Sequence, residues 1–276
     1  MSLVACLQKL DEAKLRDIRD FVDSKVDEVE DIPPMTDKGF VRASGIYSFC
    51  PRSEAIRVIH GIHGTKVIPA QLARTFAFGR MFERYYRDEV LGDLGIVLGR
   101  WECRSCGNIP DKDALGATRY RKPQRCTKCG LRSEFRLHEE TLTDMTARIQ
   151  GHNDGFVYWA NDYSILELKT CNDRYFGMIK KSGKPLDSHV AQAQMYMRMT
   201  GYKKTLFWYL NKNTSADYTI WMDYDAAYAR VFVERAEALQ EFFRSQTMPQ
   251  RICANKDVEL AKQCGQCSIC FEGFGA

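Results

Sequence analysis

Apolar positions recur at helical spacing from residue 3 to about residue 30 (Leu3, Leu7, Leu10, Ile18, Phe21, Val22), with acids and bases between them. This predicts an N-terminal helix, broken by DIPPMT at 31–36. A second helical stripe runs from about Ala70 to Val90 through Leu72, Phe76, Gly79, Glu83, Tyr86 and Val90. It places one carboxylate, Glu83, in a mostly apolar row. Three strand-like runs follow near 141–149, 153–159 and 164–170, then a helix near 187–200. KTLFWYL (204–210) and DYTIWM (217–222) read as a β-hairpin around NKNTSA, and a last helix spans about 225–246. Helix, three strands, helix and further strand form an α/β order. No repeat or low-complexity segment interrupts it.

One strand stands out. In ILELKT (165–170) the period of two puts Leu166 and Leu168 on one face and Glu167 with Lys169 on the other. An arbitrary E-x-K of this kind is most often a weak surface ion pair, so only its neighbours can give it another meaning.

The chain has 276 residues, 45% hydrophobic and 28% charged, an ordinary globular composition. No run approaches the ~18–20 apolar residues of a membrane span. The N-terminus lacks the long apolar core of a signal peptide, so the expectation is a cytoplasmic protein with no membrane partner. The net charge of +4 says little, but residues 99–136 hold ten Lys/Arg against four Asp/Glu. Such a patch suits a phosphate backbone or a solvated loop.

That basic stretch also holds two C-x2-C knuckles, Cys103/Cys106 and Cys126/Cys129, separated by 19 residues. Four thiolates close a tetrahedral shell around Zn2+ with no open position for water, so a structural zinc is expected. Gly107 and Gly130 follow the second cysteine of each knuckle, where a tight turn is needed. A second group, Cys253, Cys264, Cys267 and Cys270, does not form matched knuckles. Cys50, Cys6 and Cys171 stand apart, the last two as ordinary thiols.

Thirteen residues before Glu167, in GHNDGFVYW, stands Asp154. An Asp on one strand and a Glu-x-Lys on the next converge if the strands are neighbours. Two carboxylates then suit Mg2+ or Mn2+, hard cations that prefer oxygen. Gln192 and Tyr196 lie four apart on the following helix and share a face. Gly79 and Glu83 occur in order upstream. His152, two residues before Asp154, has two readings, a hydrogen-bonding neighbour or a metal ligand; His189 precedes Gln192 by three.

The ordered set Gly79/Glu83, Asp154, Glu167/Lys169 and Gln192/Tyr196 resembles the PD-(D/E)XK nuclease superfamily, and within it the RecB-like branch, over roughly residues 40–270. The resemblance implies a restriction-endonuclease-like core, a mixed central sheet flanked by helices, here with an inserted four-cysteine zinc ribbon. It divides the chain into an N-terminal helical segment (1–36), a nuclease domain (37–276) and a ribbon within it (99–136). It implies a metal held by Glu83, Asp154, Glu167 and the Leu168 carbonyl. Lys169 would assist the attacking water, and Gln192 and Tyr196 would position the strand or order the site. His189 sits where related enzymes often carry a histidine near the DNA path.

The expected activity is a Mg2+- or Mn2+-dependent DNA exonuclease that hydrolyses phosphodiester bonds of single-stranded or free-ended DNA and leaves 5′-phosphates, in recombination, repair or phage DNA metabolism. A structure-specific or nicking endonuclease on the same site, and a non-enzymatic zinc-ribbon DNA-binding protein, are the alternatives. DNA is the expected partner, with a helicase or recombinase as further candidates.

The iron–sulfur members of this branch, similar to CRISPR-associated adaptation exonucleases and AddAB-type nuclease domains, carry one cysteine before the core and three after it. That layout implies a 4Fe–4S cluster on Cys50, Cys253, Cys264 and Cys270, with Cys267 the alternative ligand. A second zinc on the C-terminal group alone is the competing reading.

Overall fold

The computed structural model describes residues 28–112, 117–132 and 134–273. The expected N-terminal helix lies outside these residues as far as residue 27. Residues 28–30, placed at its end by the sequence, belong instead to strand β1 (Glu28–Ile32). β2 (Val41–Arg42) leads to α1 (Pro51–His60), which the helical periodicity had not singled out. Pro51 opens α1, and the Cys50 sulfur caps it by accepting the Ser53 N–H at 3.4 Å. β3 (Gly64–Ile68) pairs antiparallel with β1 and runs directly into α2 (Ala70–Tyr85). The helix continues as a wider π-type turn over Tyr86–Leu91.

β4 (Val97–Leu98) and β5 (Arg100–Cys103) follow; β5 pairs antiparallel with β6 (Phe135–His138), and this hairpin carries the ribbon. The single run expected at 141–149 is two strands, β7 (Thr141–Asp144) and β8 (Ile149–His152). Asp144 forces the break: its Oδ1 accepts the N–H groups of Thr146 and Ala147 at 3.0 and 2.9 Å, a side-chain turn that competes with the strand.

β9 (Gly155–Trp159), β10 (Asp162–Cys171), β11 (Lys204–Asn211), β12 (Asp217–Asp223) and β4 form a five-stranded mixed sheet in the order β12-β11-β10-β9-β4. β10 and β11 are parallel, and the other pairs antiparallel. Two helices cross between the parallel strands, α3 (Asp173–Ser182), another element the pattern missed, and α4 (Asp187–Thr200). α5 (Ala226–Ser245) comes after β12, capped by Asp225, whose side chain accepts the N–H groups of Ala227 and Tyr228. The fold is mixed α/β, with sheets flanked by helices and a four-cysteine group inserted.

The alternation of ILELKT is visible in the packing. Ile165 joins Phe156, Met195, Tyr196 and Phe232 in the core between the sheet, α4 and α5. Leu166 and Leu168 join Val157, Leu91 and Trp101 on the opposite face, toward α2 and the ribbon. A fully buried leucine such as Leu166 contributes about 2 kcal/mol of apolar transfer. Trp101 fastens the ribbon to this core: it is completely buried, and its indole N–H donates to the Tyr120 carbonyl at 2.9 Å. No helix among the described residues is long and apolar enough to cross a membrane.

Candidate active site and metal centres

β9 pairs with β10 only as far as Gly155 opposite Leu166, while β10 continues to Cys171. Past that point the edge of β10 is met by a side chain. Asp154 Oδ2 accepts the Leu168 N–H at 2.7 Å. The sheet opens where the acidic residues gather. Lys169 Nζ lies 2.6 Å from Glu167 Oε2 and 3.8 Å from Asp154 Oδ2.

Glu167 is fully buried, and although it contacts Lys169, neither of its oxygens receives a well-directed hydrogen bond. An unsatisfied neutral polar group in the interior costs about 1–3 kcal/mol, and a charged one more. Burial pushes the Glu167 carboxyl up to about 7; Lys169 opposes this and Asp154 adds to it. Burial also raises Glu83, to about 9, helped by the charge and contact of Asp154. For Lys169, burial favours the neutral amine, but Glu167 and Asp154 outweigh it and keep the ammonium charged.

Helix α2 delivers Glu83. Gly79, one turn earlier, lets the helix sit on β10: a Cβ there would stand 3.1 Å from Thr170 Oγ1. One turn later Arg87 reaches 3.9 Å from Glu83, and its buried guanidinium is itself held by Asp88 at 2.8 Å and Glu139 at 3.1 Å. Arg87 was not singled out in the sequence, although its i,i+4 spacing from Glu83 was a signal. Glu83 against Asp154, and Glu167 beside Lys169, bring oxygen donors of the kind a hard divalent cation takes, although their oxygens do not converge as tightly as the ribbon sulfurs.

On the other side, α4 braces the β8–β9 connection. Tyr196 is 1% exposed and donates its hydroxyl to the His152 carbonyl at 2.7 Å, while Gln192 Nε2 donates to the Tyr196 oxygen at 3.0 Å. Of the two roles open to this pair, the geometry favours ordering the site, since a buried tyrosine has no free hydroxyl for a strand. His152 ends β8 and does not share a strand with Asp154. Its exposed ring meets Thr141 Oγ1 at 3.0 Å, in line with the hydrogen-bonding reading. The His189 imidazole is 2.8 Å from the Tyr209 hydroxyl; burial and then the Lys169 charge lower it to about 4, so it is neutral.

The ribbon cysteines converge: the four sulfurs of Cys103, Cys106, Cys126 and Cys129 lie within 4.8 Å of one another. Gly107 and Gly130 have φ of 67° and 72°, and their N–H groups donate to the carbonyls of Cys103 and Cys126, closing each knuckle in the left-handed conformation that favours glycine. The donor set and closure fit Zn2+.

Of the remaining cysteines, Cys50 before α1 lies near Cys264 of the C-terminal group. Ser53 bridges Cys50, which accepts its N–H, and Cys264, whose sulfur is 3.5 Å from its hydroxyl. Burial raises the Cys50 thiol, and Cys264 and Cys253 act on it; burial also raises Cys253, next to Cys264, Cys270 and Cys267. The tight convergence of the ribbon is not repeated here among the described residues. Cys171 ends β10 half-buried, and Cys6 lies outside the described residues.

No family model matches the chain, and no curated protein matches it by sequence. Among solved structures it is similar to an alkaline exonuclease, LHK-Exo, from Laribacter hongkongensis. The identity is 14%, with 76% of this chain and 90% of that chain covered and a TM-score of 0.46. The same enzyme in complex with dAMP gives 15%, the same coverage and 0.47. SSO0001 gives 15%, 75% and 78% coverage, and 0.38.

Proposed function

We propose that the chain is a divalent-metal-dependent DNA nuclease of the PD-(D/E)XK, RecB-like kind that acts from a free end. The observation that carries this reading is Glu167: a fully buried carboxylate with no well-directed donor on either oxygen, beside Lys169 and Asp154, with Glu83 against Asp154. A purely structural ion pair would satisfy its oxygens from neighbouring N–H groups. A DNA-binding module would gain nothing from three converging carboxylates near phosphate.

Glu83, Asp154, Glu167 and the Leu168 carbonyl would hold Mg2+ or Mn2+. In an extended strand the N–H and C=O of one residue point the same way, so the Leu168 carbonyl is directed to the side where its N–H meets Asp154. The metal, when bound, supplies polarisation of the scissile phosphate and a lowered pKa for water. The protein's own groups do the rest. Lys169, held charged by Glu167, offsets the charge that builds on the phosphorane-like transition state and orients the water. Arg87, 3.9 Å from Glu83, adds a positive charge beside it. Tyr196 and Gln192 lock the chain that carries Asp154. The ribbon zinc is structural, and Cys50, Cys253, Cys264 and Cys270, with Cys267 as the alternative, would hold a 4Fe–4S cluster that ties the two ends of the domain.

The test is digestion of end-labelled single-stranded DNA with Mg2+ or Mn2+, beside a closed circle and the Glu167→Ala protein. Shortening of the linear strand alone, lost in Glu167→Ala, supports the exonuclease. Cutting of the circle makes it an endonuclease on the same site. No cleavage with either metal overturns the nuclease reading.

A further inference from the structure

A cavity of about 330 Å3 lies between α2 and the β10–β11 part of the sheet, and Glu83 and Lys169 line it as well as the acidic site. Its character differs from that site. Trp208, the register partner of Leu168, and Tyr86 meet edge to face with ring centroids 5.1 Å apart. Phe82 stacks behind Tyr86 at 5.5 Å, and Phe76, 42% exposed, stands at the mouth.

The polar tips of the central pair are both turned to one anchor. The Trp208 indole N–H donates to Asp217 Oδ2 at 2.8 Å, and the Tyr86 hydroxyl contacts the same carboxylate. The hydrogen bond and the edge-to-face contact with Tyr86 orient the Trp208 ring. Arg80 and Lys212 also line the cavity. An aromatic cleft with cations at its border, opening on a phosphate-cleaving site, has the chemistry of a base-stacking platform.

We propose that this cleft, walled by Phe76, Tyr86 and Trp208, seats one unstacked nucleoside next to the scissile phosphate. The proposal rests on the nuclease reading above and adds the side chains that hold the base. The volume suits one small ligand, and a base pair is roughly twice as wide as a single base. The end being cut must then be single-stranded or frayed, and a blunt duplex is processed only as fast as its last pair opens.

The test compares wild-type cleavage of single-stranded oligonucleotides with a normal or an abasic residue on either side of the scissile phosphate. The expected result is at least about a tenfold loss for the abasic residue on one side, mainly in KM. Phe76→Ala, at an exposed position, should weaken the normal substrate to the same degree and level the two. In parallel, Trp208 fluorescence is followed with a thymidine trinucleotide and no added Mg2+ or Mn2+, using Trp208→Phe as the control.

Cleavage at equal rates with and without the base overturns the seat and leaves the nuclease standing. Quenching of Trp208 without cleavage of any DNA overturns the nuclease and supports the seat as a nucleoside site. Neither cleavage nor quenching overturns both.

Discussion

The ribbon and the acidic cleft are both candidate metal centres, and they are built in opposite ways. In the ribbon each half-site is local: two cysteines three apart, a glycine in the left-handed region and one backbone hydrogen bond. In the cleft the candidate ligands come from α2, the approach to β9 and the middle of β10, spread over more than eighty residues. A local site can hold a metal for stability. A distributed one concentrates charge repulsion that the fold tolerates, which is what a reactive centre requires. Substitutions in the two regions should therefore divide between stability and activity.

The largest effect expected is on activity. Glu167→Gln should lower cleavage on the order of a thousandfold with a lesser effect on the melting temperature, because the amide keeps the shape and Lys169 retains Asp154 at 3.8 Å. A large fall in melting temperature with activity retained would make Glu167 a structural residue. Cys126→Ser should do the reverse. It should lose the zinc and cost about 4 kcal/mol of stability, read by metal content and denaturant unfolding. An unchanged metal content would remove zinc from the ribbon.

The next effect depends on pH. In the metal-free protein Glu167 and Glu83 have pKa values near 7 and 9, above the ~4.3 of an unfolded glutamate. The folded state then binds more protons than the unfolded one between those values. Their contribution to stability is complete below about pH 4 and is lost as pH rises through 7 and 9. Thermal melts at pH 5.5, 7 and 8.5 should show this decline, and added Mn2+ should raise the melting temperature most at pH 8.5. A rise of equal size at all three would argue that the carboxylates do not hold the metal. The smallest effect is at Tyr196→Phe, which takes one hydrogen bond from the brace, at a cost of about 1 kcal/mol. It should lower kcat a few-fold with KM unchanged, and a KM effect alone would place Tyr196 on the substrate instead.

The linear order of residues by itself determined the features that repeat at short range. The period-two alternation of ILELKT already separates Leu166 and Leu168 from Glu167 and Lys169, and the two buried leucines and the buried glutamate keep that division. The knuckle spacing already places four sulfurs where they can meet, because each pair closes its own turn. Tertiary structure decided what depends on distant contacts. It split 141–149 through the Asp144 turn, buried the Tyr196 hydroxyl against the His152 carbonyl, and brought Arg87 onto Glu83. It also set Tyr86 and Trp208, far apart in the chain, on one carboxylate beside the acidic site. Periodicity reports which face of an element is buried, whereas the partner that covers that face is chosen only when the elements pack.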